Sequence, residues 1–148
     1  MEAVLFCGIQ ATGKSSFYKE KFFHTHVRIS MDLLKTRNRE SRFIDLCIET
    51  QQAFVVDNTN PSKADREKYI SKIKNAKYKL IGYYFQSKIE ESLARNEGRQ
   101  GKQRIPDVGL RATYSKLELP SYEEGFDELY YVELENGSFI VKDWNDEV

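Results

Sequence analysis

The sequence predicts an α/β domain, a mainly parallel sheet flanked by helices, on three observations. Short apolar runs alternate along the chain with stretches of helical apolar spacing. The first apolar run, residues 2–7, ends in a glycine-bounded turn, Gly8-Ile9-Gln10-Ala11-Thr12-Gly13, that leads directly into a helical stretch. The last two runs flank Glu135-Asn136-Gly137-Ser138, where Asn-Gly marks a tight hairpin turn.

The elements follow in order. Residues 2–7 read as a buried strand, 14–23 as a helix and 26–30 as a second strand. Residues 43–52 carry apolar side chains at 43, 44, 46, 47 and 48, the pattern of a buried helix. Ala53-Phe54-Val55-Val56 forms a third strand ending at Asp57. Asn60-Pro61 opens a helix, because the fixed φ of proline suits a first turn. Residues 78–85 form an aromatic-rich strand that places Tyr83, Tyr84 and Phe85 in the core, and residues 87–99 a helix with Ser87 as N-cap. Residues 129–134 and 139–141 make the terminal strand pair. No internal repeat or Pro/Gly/Ser linker interrupts the chain, and Pro61, Pro106 and Pro120 fall where the pattern changes. Residues 1–148 therefore read as one domain.

Composition narrows the class of function. A chain that is 40% hydrophobic and 31% charged is globular rather than disordered. Lys plus Arg (23) balances Asp plus Glu (23), which excludes a uniformly basic nucleic-acid packer but not a local basic groove. Residues 61–79 hold seven basic and two acidic side chains, whereas residues 118–148 hold ten acidic ones against Lys142. The expectation is a basic half that attracts an anion and an acidic tail. Residues 1–8 lack the positive start of a signal peptide, and no apolar stretch approaches the roughly 20 residues that span a bilayer. A cytoplasmic protein without membrane contact is expected, and no stable protein partner is inferable. Cys7 and Cys47 have no metal or redox spacing and read as buried free thiols. His24 and His26 are expected at the surface and at a strand edge.

The chemistry begins at Gly8-Ile9-Gln10-Ala11-Thr12-Gly13-Lys14-Ser15, which fits G-x-x-x-x-G-K-[ST] at every fixed position and lies between a strand and a helix. Glycines allow successive N–H groups to surround an anion, and the helix N-terminus points its positive end at the same place. Lys14 can reach the β- and γ-phosphates, and the Ser15 hydroxyl can join a Mg²⁺ shell. Ser16 completes the phosphate-binding stretch. ATP and Mg²⁺ are the cofactors this implies. No Asn-Lys-x-Asp guanine-reading motif occurs.

Further candidates stand where ligands bind in such sheets, at the carboxyl ends of strands. Asp32, after Val27-Arg28-Ile29-Ser30-Met31, can accept a proton from an attacking hydroxyl, or cap Leu33-Leu34-Lys35. Asp57 occupies the matching place on the third strand, where it can hold Mg²⁺ through water or orient a basic residue. Arg95 and Arg99 are four apart and share a helical face, as suits the charge of a transferring phosphoryl group. The polar stretch Gln100-Gly101-Lys102-Gln103-Arg104 follows them, so a mobile helical lid is expected over about 95–111.

Gly8 to Ser15, Ser30-Met31-Asp32, Val55-Val56-Asp57-Asn58-Thr59-Asn60-Pro61 and Arg95-Asn96-x-x-Arg99 together resemble the kinase domain of polynucleotide 5′-hydroxyl kinases. Ile105-Pro106-Asp107-Val108 and the stretch from Pro120 to Glu128 are also similar to the animal members, so the resemblance covers about residues 3–132. It implies a P-loop kinase fold with Lys14 and Ser15 as phosphate and metal contacts and Asp32 as general base. Asp57 matches a second active-site aspartate, which with Asn58 falls on the substrate side, and Arg95 and Arg99 match lid arginines. Lys35 stands where the family often carries an arginine that contacts a strand phosphate, and Arg37 is the nearest arginine. The expected function is transfer of the γ-phosphate of ATP to the 5′-hydroxyl of DNA or RNA. The alternatives are a kinase of a small hydroxyl compound such as a sugar, nucleoside or drug, and a nucleotide-binding switch without transfer activity.

Overall fold

A computed structural model describes residues 1–145; residues 146–148, with Asp146 and Glu147 of the expected acidic tail, lie outside the described residues. Strands β1 (Glu2–Cys7), β2 (Val27–Ile29), β3 (Phe54–Val56), β4 (Lys79–Phe85), β5 (Glu128–Glu135) and β6 (Ser138–Asp143) form one sheet in the order β2-β3-β1-β4-β5-β6. Every neighbouring pair is parallel except β5 and β6, which form the expected hairpin. The helices are α1 (Lys14–Lys21), α2 (Met31–Leu34), α3 (Arg37–Glu49), α4 (Lys63–Asn75), α5 (Ile89–Glu97) and α6 (Asp107–Lys116).

A parallel strand covered on both faces must be apolar on both, and β1 is. Ala3, Leu5 and Cys7 face one core with Ile44 and Cys47 of α3 and Tyr69, Ile70 and Ile73 of α4. Val4 and Phe6 face the other, against Phe17 and Tyr18 of α1. Aromatic edges fill that second core, with Phe6 and Phe85 centroids 4.9 Å apart and Phe17 and Phe139 5.1 Å apart. Because β1 lies between β3 and β4, the loop that follows it opens at the carboxyl edge where the connections diverge to opposite sides.

Several expectations are corrected in detail. The helix expected at 43–52 starts at Arg37, capped by Thr36, and is only half-buried, with Phe43 and Leu46 exposed. The Asn60-Pro61 helix begins two residues later, because Ser62 and Asp65 form a capping box. Asn60 instead takes a left-handed backbone and donates its buried amide to the Phe6 carbonyl (2.8 Å). The helix of residues 87–99 spans Ile89–Glu97, and Ser87 does not cap it. Helix α2 lies where a cap by Asp32 is one of two readings, and α6, at Asp107–Lys116, runs five residues past the expected helical segment, to 116 rather than about 111.

The charge asymmetry along the chain is cancelled in space. Arg66 pairs with Glu124, Lys74 with Asp127 and Lys79 with Glu128, joining the basic run to the acidic segment. Lys79 is in register with Glu2, so this end of the run lies at the edge of the sheet opposite the glycine loop. Arg66 is fully buried and belongs to the core rather than to an anion-attracting surface. Cys7 and Cys47 are free and buried, as expected. No helix among the described residues is long and apolar enough to cross a membrane.

Candidate active site

The glycine loop is shaped by backbone contacts. A Cβ at Gly8 would stand 3.0 Å from both the Cβ and the carbonyl of Phe85, so only glycine fits without displacing β4. At Gly13, φ is +94° and a Cβ would meet the Phe139 ring at 2.8 Å. Ser87 accepts the Ile9 N–H (3.0 Å) and donates to the Phe85 carbonyl (2.8 Å), anchoring the loop to the end of β4. Thr12 donates its hydroxyl to the Ile9 carbonyl at 2.9 Å. The Lys14 ammonium folds back over this turn and donates to the same carbonyl at 2.6 Å. The result is a tight backbone cradle at the positive end of α1, a geometry that accepts phosphate.

Burial pushes the Lys14 ammonium down to about 8; Asp57, Cys7 and Asp32 act against that shift, and Arg99 acts with it. These interactions place Asp57, Asp32 and Arg99 around one cation. Asp57 is buried, and its Oδ2 accepts from Ser15 Oγ (3.1 Å) and Arg28 Nε (2.9 Å). Arg28 Nη2 also donates to Ser15 Oγ at 3.0 Å. A hydroxyl and a carboxylate converging from α1 and the end of β3 are the hard oxygen donors that Mg²⁺ prefers. Ser15 and Asp57 thus fit a divalent cation, and of the two roles expected of Asp57 the structure shows one, the orientation of a basic residue, Arg28.

Asp32 lies in the first turn of α2, but it is not the cap. Ser30 caps that helix by accepting the Asp32 N–H at 3.3 Å, which leaves the Asp32 carboxylate exposed at the carboxyl edge of the sheet. Asn58 fixes the same turn: its carbonyl oxygen accepts the Met31 N–H (2.9 Å) and its amide donates to Glu40 (2.9 Å). Asn58 therefore positions α2, and its side chain faces the protein. Arg37 donates to Glu40 (3.0 Å) and to the Tyr69 hydroxyl (2.9 Å), so it too has protein partners. Burial, then Glu40, push the Tyr69 phenol upward, consistent with its role as a donor to that carboxylate. Lys35 is exposed beside Asp32, with a positive φ at the end of α2.

The lid is tied to the loop. Arg95 donates to the Ala11 carbonyl (3.0 Å), and the Gln10 amide donates to the Thr113 hydroxyl of α6 (2.9 Å). Asn96 is fully buried and holds Ile105 from both sides, accepting its N–H (2.9 Å) and donating to its carbonyl (2.5 Å). Arg99 lies beyond the last residue of α5, so the two arginines reach the site from the helix and from the turn after it. Sequence reasoning missed Arg28, Ser87 and Thr113. Arg28 left one signal, a charged residue inside a strand pattern.

The fold is that of the P-loop kinases. A gluconokinase from Sinorhizobium meliloti superposes with a TM-score of 0.63 at 17% identity, covering 89% of this chain and 82% of that one. Kti12 from Chaetomium thermophilum, solved with ADP-AlF3, gives a TM-score of 0.62 at 13% identity over 88% of each chain. A sugar kinase from a Janibacter species gives 0.63 at 11% identity, over 88% of this chain and 85% of the other. In sequence, the chain is 24% identical over 131 residues to the bifunctional polynucleotide phosphatase/kinase of Schizosaccharomyces pombe. That match takes in 84% of this chain and 32% of the relative, so the chain spans about a third of that protein's length. No protein-family model matches the chain.

Proposed function

We propose that the chain is an ATP-dependent phosphotransferase whose acceptor is the 5′-hydroxyl end of DNA or RNA. The observation that carries the transfer is the exposed Asp32 carboxylate, free of any capping role, at the same carboxyl edge of the sheet as the Lys14 loop. Ser15 and Asp57 would hold a Mg²⁺ ion, which would neutralise charge on the phosphates of ATP, the phosphoryl donor. The loop N–H groups and Lys14 hold the polyphosphate. Asp32 accepts the proton of the attacking hydroxyl as the new P–O bond forms and the bond from the γ-phosphorus to the bridging oxygen breaks, releasing ADP. Arg95 and Arg99 offset the charge spread over the transferring group, and the tied lid keeps water from competing.

The acceptor assignment is supported by the similarity to the fission-yeast polynucleotide phosphatase/kinase, which takes in 84% of this chain. In this reading the exposed Lys35 meets the phosphate next to the reacting hydroxyl. One observation favours a small hydroxyl acceptor instead: much of the basic run is paired with carboxylates, and its Lys79 end lies at the far edge of the sheet. A panel decides between them. Labelled phosphate from ATP should pass to 5′-OH oligonucleotides at low salt, with a shallow salt dependence because few phosphates are neutralised. Labelling of a free sugar or nucleoside with none of the oligonucleotide would replace this acceptor by the small-molecule one.

A further inference from the structure

The metal-binding pair already holds a cation of the protein's own. Arg28 contacts both members, through Nε to Asp57 and Nη2 to Ser15, while Ser15 itself donates to Asp57, so the three side chains close a ring. The Asp57 side chain is 2% exposed and that of Arg28 26%, so water screens the pairing only from one side. Arg28 is in register with Val55, whose side chain packs on the α1 face. Lys14 and Arg99 add further positive charge to the same small volume.

We propose that Arg28 is a positioning residue that keeps divalent cations off the Ser15–Asp57 pair until a polyphosphate arrives. The proposal rests on reading Ser15 and Asp57 as the cation-holding pair. A cation bound by those two oxygens has to take over the lone pairs that Arg28 engages and lie against a fixed guanidinium charge. Without phosphates, that repulsion opposes entry. A nucleotide brings several negative charges into the cradle, which lets guanidinium and metal share the site. Metal and nucleotide then bind cooperatively, each raising the affinity for the other by the same factor. Arg28 thus adds to the coupling that the phosphates themselves supply, and it acts through Ser15 and Asp57 without touching the reacting atoms.

The test is a Mn²⁺ titration followed by electron paramagnetic resonance, on wild type, Arg28→Gln and Arg28→Lys, each with and without ADP. Nucleotide-free Arg28→Gln should bind Mn²⁺ at least about ten-fold more tightly than wild type. Arg28→Lys, which keeps the charge, should remain close to wild type. The gap between wild type and Arg28→Gln should narrow when ADP is present. If Gln does not fold, Arg28→Met carries the same expectation. Equal Mn²⁺ affinity in nucleotide-free wild type and Arg28→Gln overturns the proposal, as does Arg28→Lys binding as tightly as Gln. If wild type with ADP holds no Mn²⁺ at all, the reading of Ser15 and Asp57 falls, and the proposal with it.

Discussion

The polar partners of Lys14 belong to its own loop. Its ammonium donates to the Ile9 carbonyl and lies 3.4 Å from the Thr12 hydroxyl. Lys14→Ala should therefore abolish phosphoryl transfer and leave the thermal midpoint close to wild type; an active, well-folded variant would remove the phosphate-loop assignment. A second residue shows where pH enters stability. The Asp127 carboxyl is held below its ordinary value of 3.8 by the Leu80 N–H and then by the Lys74 ammonium. A lowered carboxyl pKa means the native state binds the proton more weakly than the unfolded chain does. The stabilisation is therefore complete above 3.8 and lost as pH falls through the lower native value. Urea midpoints of wild type and Asp127→Asn should differ at neutral pH and converge as pH falls below the lowered native value; a gap that stays constant would show that the charge does not matter. Single positions such as Asp32 and Asp57 are legible in sequence because they end apolar runs. Arg28 and Asn58 are not, because their roles depend on partners that only the sheet brings together: Arg28 and Asp57 are 29 residues apart, Ser15 and Asp57 42.

Elements were legible where apolar periodicity is strong and less so where capping decides. β1, β4 and the terminal hairpin fall where the pattern places them. By contrast, α4 starts where Ser62 can cap, and α3 begins six residues early because its first turns are polar and its start is set by Thr36. The site of Ser87 was recognised as a junction, but its hydroxyl serves the glycine loop instead of α5. The clearest energetic dependence between elements is Arg66 of α4. Its guanidinium donates to Glu124 and to the Asn60 and Pro61 carbonyls, with no exposure to water. Arg66→Ala should lower unfolding free energy by about 3–5 kcal/mol, because it leaves Glu124 and two carbonyls without their donor. The double change Arg66→Met with Glu124→Leu should recover much of that loss in the same denaturant titration. If Arg66→Ala is as stable as wild type, this buried network contributes nothing to holding α4.

At the scale of the molecule, six strands place every candidate at one edge. The loop after β1, Asp32 after β2 and Asp57 after β3 arrive together because parallel strands share their carboxyl ends, and the chain from β4 brings the lid arginines over them. This much follows from strand alternation. The sheet order, and the pairing of basic and acidic segments it creates, does not, because charge runs are read along the chain while ion pairs form across it. The proposed phosphotransfer site has its base, Asp32, on α2. The most direct measurement compares turnover and ATP affinity in wild type and Asp32→Asn, with a 5′-OH oligonucleotide as acceptor. The account predicts turnover lower by about 10²–10⁴-fold with ATP affinity unchanged. Turnover within a few-fold of wild type would contradict it.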